Sequence, residues 1–130
     1  MTAPVRIMLV EDLDSDVDLT RYALRRAGIN AEIRQVLTEQ EFRSTLQEFD
    51  PQLVISDFSL PRFDGLSALA IARTECPSVP FIFMSGTIGS QRARAALEQG
   101  AAAYVLKGDY DQFVAEVRRL VPLKNEGDRG

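Results

Sequence analysis

Three carboxylates, a hydroxyl and an amine stand out in this 130-residue sequence because each follows a short apolar run. Glu11 and Asp12 follow Arg6 to Val10, Asp57 follows Gln52 to Ser56, Ser85 follows Val79 to Met84, and Lys107 follows Ala102 to Leu106. Carboxylates brought into one crevice repel one another, and a hard divalent cation with oxygen ligands relieves that repulsion. Magnesium is the natural candidate. A neighbouring ammonium and hydroxyl could then hold a phosphoryl group, one by charge and the other by a hydrogen bond, with the metal on the remaining oxygens. Each residue also has a plainer reading. Glu11 and Asp12 could be solvated acids at a helix N-terminus, Asp57 an ordinary cap, and Ser85-Gly86-Thr87 a turn. Lys107 could be a surface lysine and Tyr104 a core aromatic with a wet hydroxyl. Only their joint placement favours chemistry.

The apolar runs must therefore be strands whose ends meet. Arg6 to Val10 reads as the first strand, followed by a helix with Leu19, Ala23, Leu24 and Ala27 on one face. Asp14 and Ser15 are its expected caps, and Gly28 suits its end. Ala31 to Val36 reads as a strand, and Thr38-Glu39-Gln40-Glu41 as a capping box opening a helix that turns Phe42, Leu46 and Phe49 inward until Asp50-Pro51 stops it. Gln52 to Ser56 is the third strand, with a turn-rich Asp57 to Gly65 and a helix from Leu66 to Glu75 after it. Val79 to Met84 is the fourth strand. A helix with Ala93, Ala96 and Leu97 on one face then precedes Gly100, and Ala102 to Leu106 is the fifth strand. The last helix aligns Phe113, Val114, Val117, Leu120 and Val121 and ends at Pro122. This alternation predicts an α/β fold with a parallel sheet covered on both faces, whose ligands bind beyond the carboxyl ends of the strands.

Composition narrows the function classes. A chain with 45% hydrophobic and 26% charged residues has enough apolar surface for one folded domain without disulfide or structural metal. Its net charge of -4 argues against direct binding to nucleic acid or anionic lipid. Cys76 is the only cysteine, which leaves no internal disulfide and no zinc-ligand spacing. No signal-peptide core and no run near the roughly 20 apolar residues of a membrane span are present, so a cytoplasmic protein without membrane insertion is expected. The sequence contains no histidine. Histidine phosphorylation and a histidine-based triad on this chain are thereby excluded.

Glu11-Asp12, Ile55-Ser56-Asp57-Phe58-Ser59-Leu60-Pro61 with Asp64-Gly65, Met84-Ser85-Gly86-Thr87 and Tyr104-Val105-Leu106-Lys107 together resemble the response regulator receiver signature. The resemblance implies a flavodoxin-like (βα)5 doubly wound sandwich with a five-stranded parallel sheet in the order 2-1-3-4-5. It assigns residues 5–122 to the receiver domain and 123–130 to a flexible C-terminal tail. Asp57 would be the phosphoacceptor, and the donor a sensor histidine kinase or a histidine phosphotransfer protein. Mg²⁺ would be held by Asp12, Asp57 and the Ser59 carbonyl, with Glu11 acting through water. Lys107 would pair with a phosphoryl oxygen. Ser85 would donate its hydroxyl to another, while Tyr104 swings from exposed to buried and moves the surface of the fourth helix, fifth strand and fifth helix.

This reading expects a single-domain response regulator that works in a two-component system or phosphorelay, as a monomer or weak homodimer, with no independent substrate turnover. The stretch after Pro122 is too short to bury a core, so the output is expected on a separate protein. Gly108 departs from the family, which usually has a proline there, so the Lys107 loop is expected to have a path or mobility of its own. The alternatives are a partner-binding pseudo-receiver, a phosphohydrolase of the haloacid-dehalogenase type and a flavodoxin-like cofactor module. The hydrolase would need an acid where Ser59 stands. The cofactor module would need a glycine-rich cradle in place of the acidic Glu11 to Ser15 loop.

Overall fold

The computed structural model describes residues 3–58, 60, 63–86 and 89–122. Strand and helix alternate from Val5 onward. They are β1 (Val5–Val10), α1 (Asp14–Arg26), β2 (Ala31–Val36), α2 (Glu39–Phe49) and β3 (Leu53–Asp57), then α3 (Gly65–Glu75), β4 (Phe81–Ser85), α4 (Ser90–Glu98), β5 (Ala103–Leu106) and α5 (Tyr110–Leu120). All pairings are parallel, in the order β2-β1-β3-β4-β5. The flavodoxin-like topology expected from the sequence is the one observed.

Because successive strand residues point to opposite faces, the apolar runs feed two cores at once. Ile7, Leu9, Ile55, Ile82 and Val105 pack with Val17 and Leu24 of α1 and Phe113 and Val117 of α5. Met8, Val10, Val54, Phe81 and Phe83 pack with Phe42 and Leu46 of α2, Leu69 of α3 and Ala96 of α4. The capping box forms as predicted. Thr38 Oγ1 accepts from the Glu41 amide at 3.2 Å, and Glu41 Oε1 accepts from the Thr38 amide at 3.3 Å. Asp50 ends α2 in the left-handed region, at φ 53°.

Three local expectations need correction. Asp14 and Ser15 are helical residues of α1 and not its caps; the N-cap is Leu13, which makes no side-chain cap bond. Leu19 is 48% exposed, because α1 buries Val17, Thr20, Ala23 and Leu24, and Leu19 lies about 200° round the helix from Val17. Leu97 is also 48% exposed, since Ala96 takes the buried place on α4. The tail expected at 123–130 lies outside the described residues.

Candidate functional site

Parallel register brings the strand ends level. Val10 sits beside Ser56, Asp57 beside Met84, and Ser85 beside Leu106. The residues that close β1, β3, β4 and β5 therefore rim one crevice, with Lys107 held there by its amide donating to the Ser85 carbonyl at 2.7 Å. The Phe58 amide donates to the Met84 carbonyl at 3.0 Å and fixes the exit of β3. Across the sheet, the Gln35 side-chain amide donates to the Glu11 carbonyl at 2.7 Å and pins the exit of β1.

Glu11, Asp12 and Asp57 each present a carboxylate oxygen, and the three oxygens lie within 4.8 Å of one another. Lys107 Nζ reaches Glu11 Oε1 at 2.9 Å, Asp57 Oδ2 at 3.0 Å and Asp16 Oδ2 at 2.7 Å. One ammonium thus serves three acids. Its own charge is well compensated, and these carboxylates hold the Lys107 pKa above its ordinary range although burial alone would lower it. Glu11 has the opposite difficulty. It is 3% exposed, and burial pushes its pKa up, opposed only in part by Lys107 and the Leu13 amide. An all-oxygen donor set with excess negative charge suits a hard divalent cation such as Mg²⁺. The residues present fit that role.

Ser85 is buried at the end of β4, at 2% exposure. Tyr104, paired in register with Phe83, is half-buried, and its ring meets Phe58 edge-on at 5.4 Å between centroids. The exposed starting position expected of Tyr104 is not the one observed: its hydroxyl oxygen is already buried, because the ring packs on Phe58, and has no hydrogen-bond partner among the described residues. Phe58 also meets Phe83 at 5.1 Å, and the Arg92 guanidinium of α4 lies 5.8 Å from its ring. An aromatic cluster thus runs from the residue after Asp57 to Tyr104. Ser59 and Thr87 lie outside the described residues.

Gly108 explains the local path of Lys107. The Asp109 amide donates to the Leu106 carbonyl at 3.0 Å, closing a turn in which Gly108 has φ +97°. Proline, held near −65°, cannot take that conformation. Asp109 then caps α5 by accepting from the Gln112 amide at 3.2 Å. The path the sequence left open is thus a left-handed glycine turn.

Sequence reasoning missed Asp16. It shares the first turn of α1 with Asp14, which is exposed, but it is half-buried next to Val17, and its contact with Lys107 places it at the crevice. Its position beside the core stripe was the available signal.

An α/β sheet carrying an acidic crevice with a lysine at its strand ends has the charge pattern that suits a hard cation and a phosphoryl group. The chain belongs to the response regulator receiver domain family, which it matches over residues 7–118. It is 32% identical over 118 residues to the DNA-binding transcriptional regulator NtrC of Salmonella typhimurium, a match covering 88% of this chain and 24% of that protein. It spans less than half the length of that regulator and of the TrcR regulator of Mycobacterium tuberculosis, of which it covers 49%. A response regulator structure from Chloroflexus aurantiacus superposes with a TM-score of 0.81 at 23% identity, covering 91% of this chain and 98% of that one. The Mn²⁺-bound form of response regulator Rcp1 superposes at 0.75 with 24% identity, covering 92% and 99%. At that identity the structures speak for the fold alone. Among the described residues, no helix is long and apolar enough to cross a membrane.

Proposed function

We propose that Asp57 accepts a phosphoryl group from a phosphohistidine on a partner, either a sensor histidine kinase or a histidine phosphotransfer protein. The supporting observation is the Asp57 carboxylate, 3.0 Å from the Lys107 ammonium inside a cluster of three acids that suits a divalent cation. An Asp57 oxygen bonds to phosphorus, the phosphorus–nitrogen bond breaks, and its electron pair leaves on the partner's imidazole. Glu11, Asp12 and Asp57 would hold Mg²⁺, with the Ser59 carbonyl as a further ligand. The cation supplies charge neutralisation as the phosphoryl oxygens approach.

The other roles belong to the chain itself. Lys107 exchanges its bond to Asp57 for one to a phosphoryl oxygen, and Ser85 donates its hydroxyl to another. Tyr104, at the far end of the aromatic cluster, carries the change to the surface of α4, β5 and α5. In this reading the domain is a cytoplasmic phosphoacceptor without independent substrate turnover, and its output is whatever reads that surface.

The test is intact mass after incubation with acetyl phosphate and Mg²⁺, beside a metal-free sample and Asp57→Ala. The expected result is one acid- and hydroxylamine-labile phosphoryl group, absent from both controls. No gain under any condition overturns the proposal and leaves a pseudo-receiver that acts by binding alone.

A further inference from the structure

Asp16 is not among the residues that carried the sequence resemblance, yet it makes the shortest ion pair on Lys107. Its Oδ2 lies 2.7 Å from Nζ, against 2.9 Å for Glu11 and 3.0 Å for Asp57. Glu11 and Asp57 form the potential cation cluster with Asp12; Asp16 is not part of it. A cation on that cluster and a phosphoryl group on Asp57 would therefore occupy two of the lysine's three partners. Asp16 would remain.

The two ends of this contact are anchored unequally. Asp16 sits in the first turn of α1 beside buried Val17, and its carbonyl accepts the hydroxyl of buried Thr20 at 2.9 Å. Apart from its ion pairs, Lys107 is held at its backbone, by its amide on the Ser85 carbonyl and by the turn that the Asp109 amide closes on Leu106; its ammonium lies at the end of a flexible four-carbon stem. A long, flexible side chain on such a turn needs a fixed partner if its ammonium is to stay in place.

We propose that Asp16 is a positioning residue, the tether that keeps the Lys107 ammonium beside Asp57 when Glu11 and Asp57 turn to the cation and the phosphoryl group. The inference rests on Asp57 as the phosphoacceptor. The competing account gives Asp16 only the general effect of an acid at a helix N-terminus. Asp14, exposed in the same turn, is the control for that effect.

Lys107 and Lys124 are the only lysines in the sequence, so Lys124 is an internal reference for labelling by an amine-reactive reagent read by peptide mass. With Mg²⁺ saturating, Asp16→Asn raises Lys107 labelling relative to Lys124 by about fivefold or more, whereas Asp14→Asn leaves the ratio unchanged. Asp16→Asn also slows phosphorylation by saturating acetyl phosphate by about fivefold or more, and this effect shrinks below about twofold in a Lys107→Met background. Wild-type labelling in Asp16→Asn overturns the tether. An equal rate effect with and without Lys107 overturns its action through the lysine. If the wild-type chain takes no phosphoryl group at all, the phosphoacceptor reading fails, and the labelling ratio still decides the tether.

Discussion

Tyr104 meets Phe58, the residue directly after Asp57, edge-to-face at 5.4 Å, with the tyrosine hydroxyl buried and lacking a hydrogen-bond partner among the described residues. A buried hydroxyl without a partner costs about 1–3 kcal/mol of desolvation. Tyr104→Phe keeps the ring contact and removes that cost. The unphosphorylated protein should therefore be as stable as wild type or more stable by about 1 kcal/mol in urea denaturation. A loss above 1 kcal/mol would mean that the hydroxyl has a partner in solution.

Phe58→Leu removes the edge-to-face contacts with Tyr104 and Phe83 while keeping an apolar side chain. Aromatic pairs contribute about 0.5–1.5 kcal/mol each beyond their buried area, so a loss of roughly 1–3 kcal/mol is expected. The near-ultraviolet circular dichroism of the tyrosines should change with it. An unchanged spectrum would show that Tyr104 does not depend on Phe58 for its place.

Gly65 opens α3 directly against the exit of β3. A Cβ there would lie 2.8 Å from Phe83 Cε1 and 2.9 Å from the Phe58 carbonyl oxygen. The backbone carbonyl cannot move without disturbing Asp57. Gly65→Ala should cost about 1–3 kcal/mol in denaturation and also slow phosphoryl uptake from acetyl phosphate. Loss of stability with an unaltered rate would separate that backbone from the chemistry.

Gly108 has open space around it but φ +97°. The cost of a side chain there is conformational and not steric. Gly108→Ala should lower stability by about 1–2 kcal/mol. Gly108→Pro should cost more, because the ring forbids the observed turn altogether. Equal midpoints for all three proteins would show that the turn is not held in solution.

Burial raises the Glu11 pKa above 4.5. In the window just above that value the folded state holds more protons than the unfolded one, so the contribution of Glu11 to stability falls as pH rises through its folded pKa. The metal-free wild type should match Glu11→Gln at the acid end and fall behind it as pH climbs through the window. Mg²⁺, which needs the ionised carboxylate, should narrow the gap at the higher pH. Urea midpoints across the pH range measure both effects, and a gap independent of pH would sink the argument.

The sequence by itself determined the elements, because periodicity reports which runs are apolar strands and which faces of a helix turn inward, although the caps it offered for α1 were not the ones used. The strand runs feed both cores, and the Thr38–Glu41 capping box appears as written. It also placed Glu11, Asp12, Asp57, Ser85 and Lys107 at strand ends, where a parallel sheet must bring them together. Tertiary structure decided the rest. Leu19 and Leu97 match a helical period yet face outward, since each helix offers only one stripe to the sheet. Asp16 meets Lys107 across 91 residues of chain; its place beside the core stripe of α1 was local, but the choice of Lys107 as partner was set by how α1 docks. The same holds for the Phe58–Tyr104 contact and for the left-handed turn at Gly108. Local spacing specifies which side of an element a residue occupies; the approach of one side chain to another depends on how packed elements come to rest.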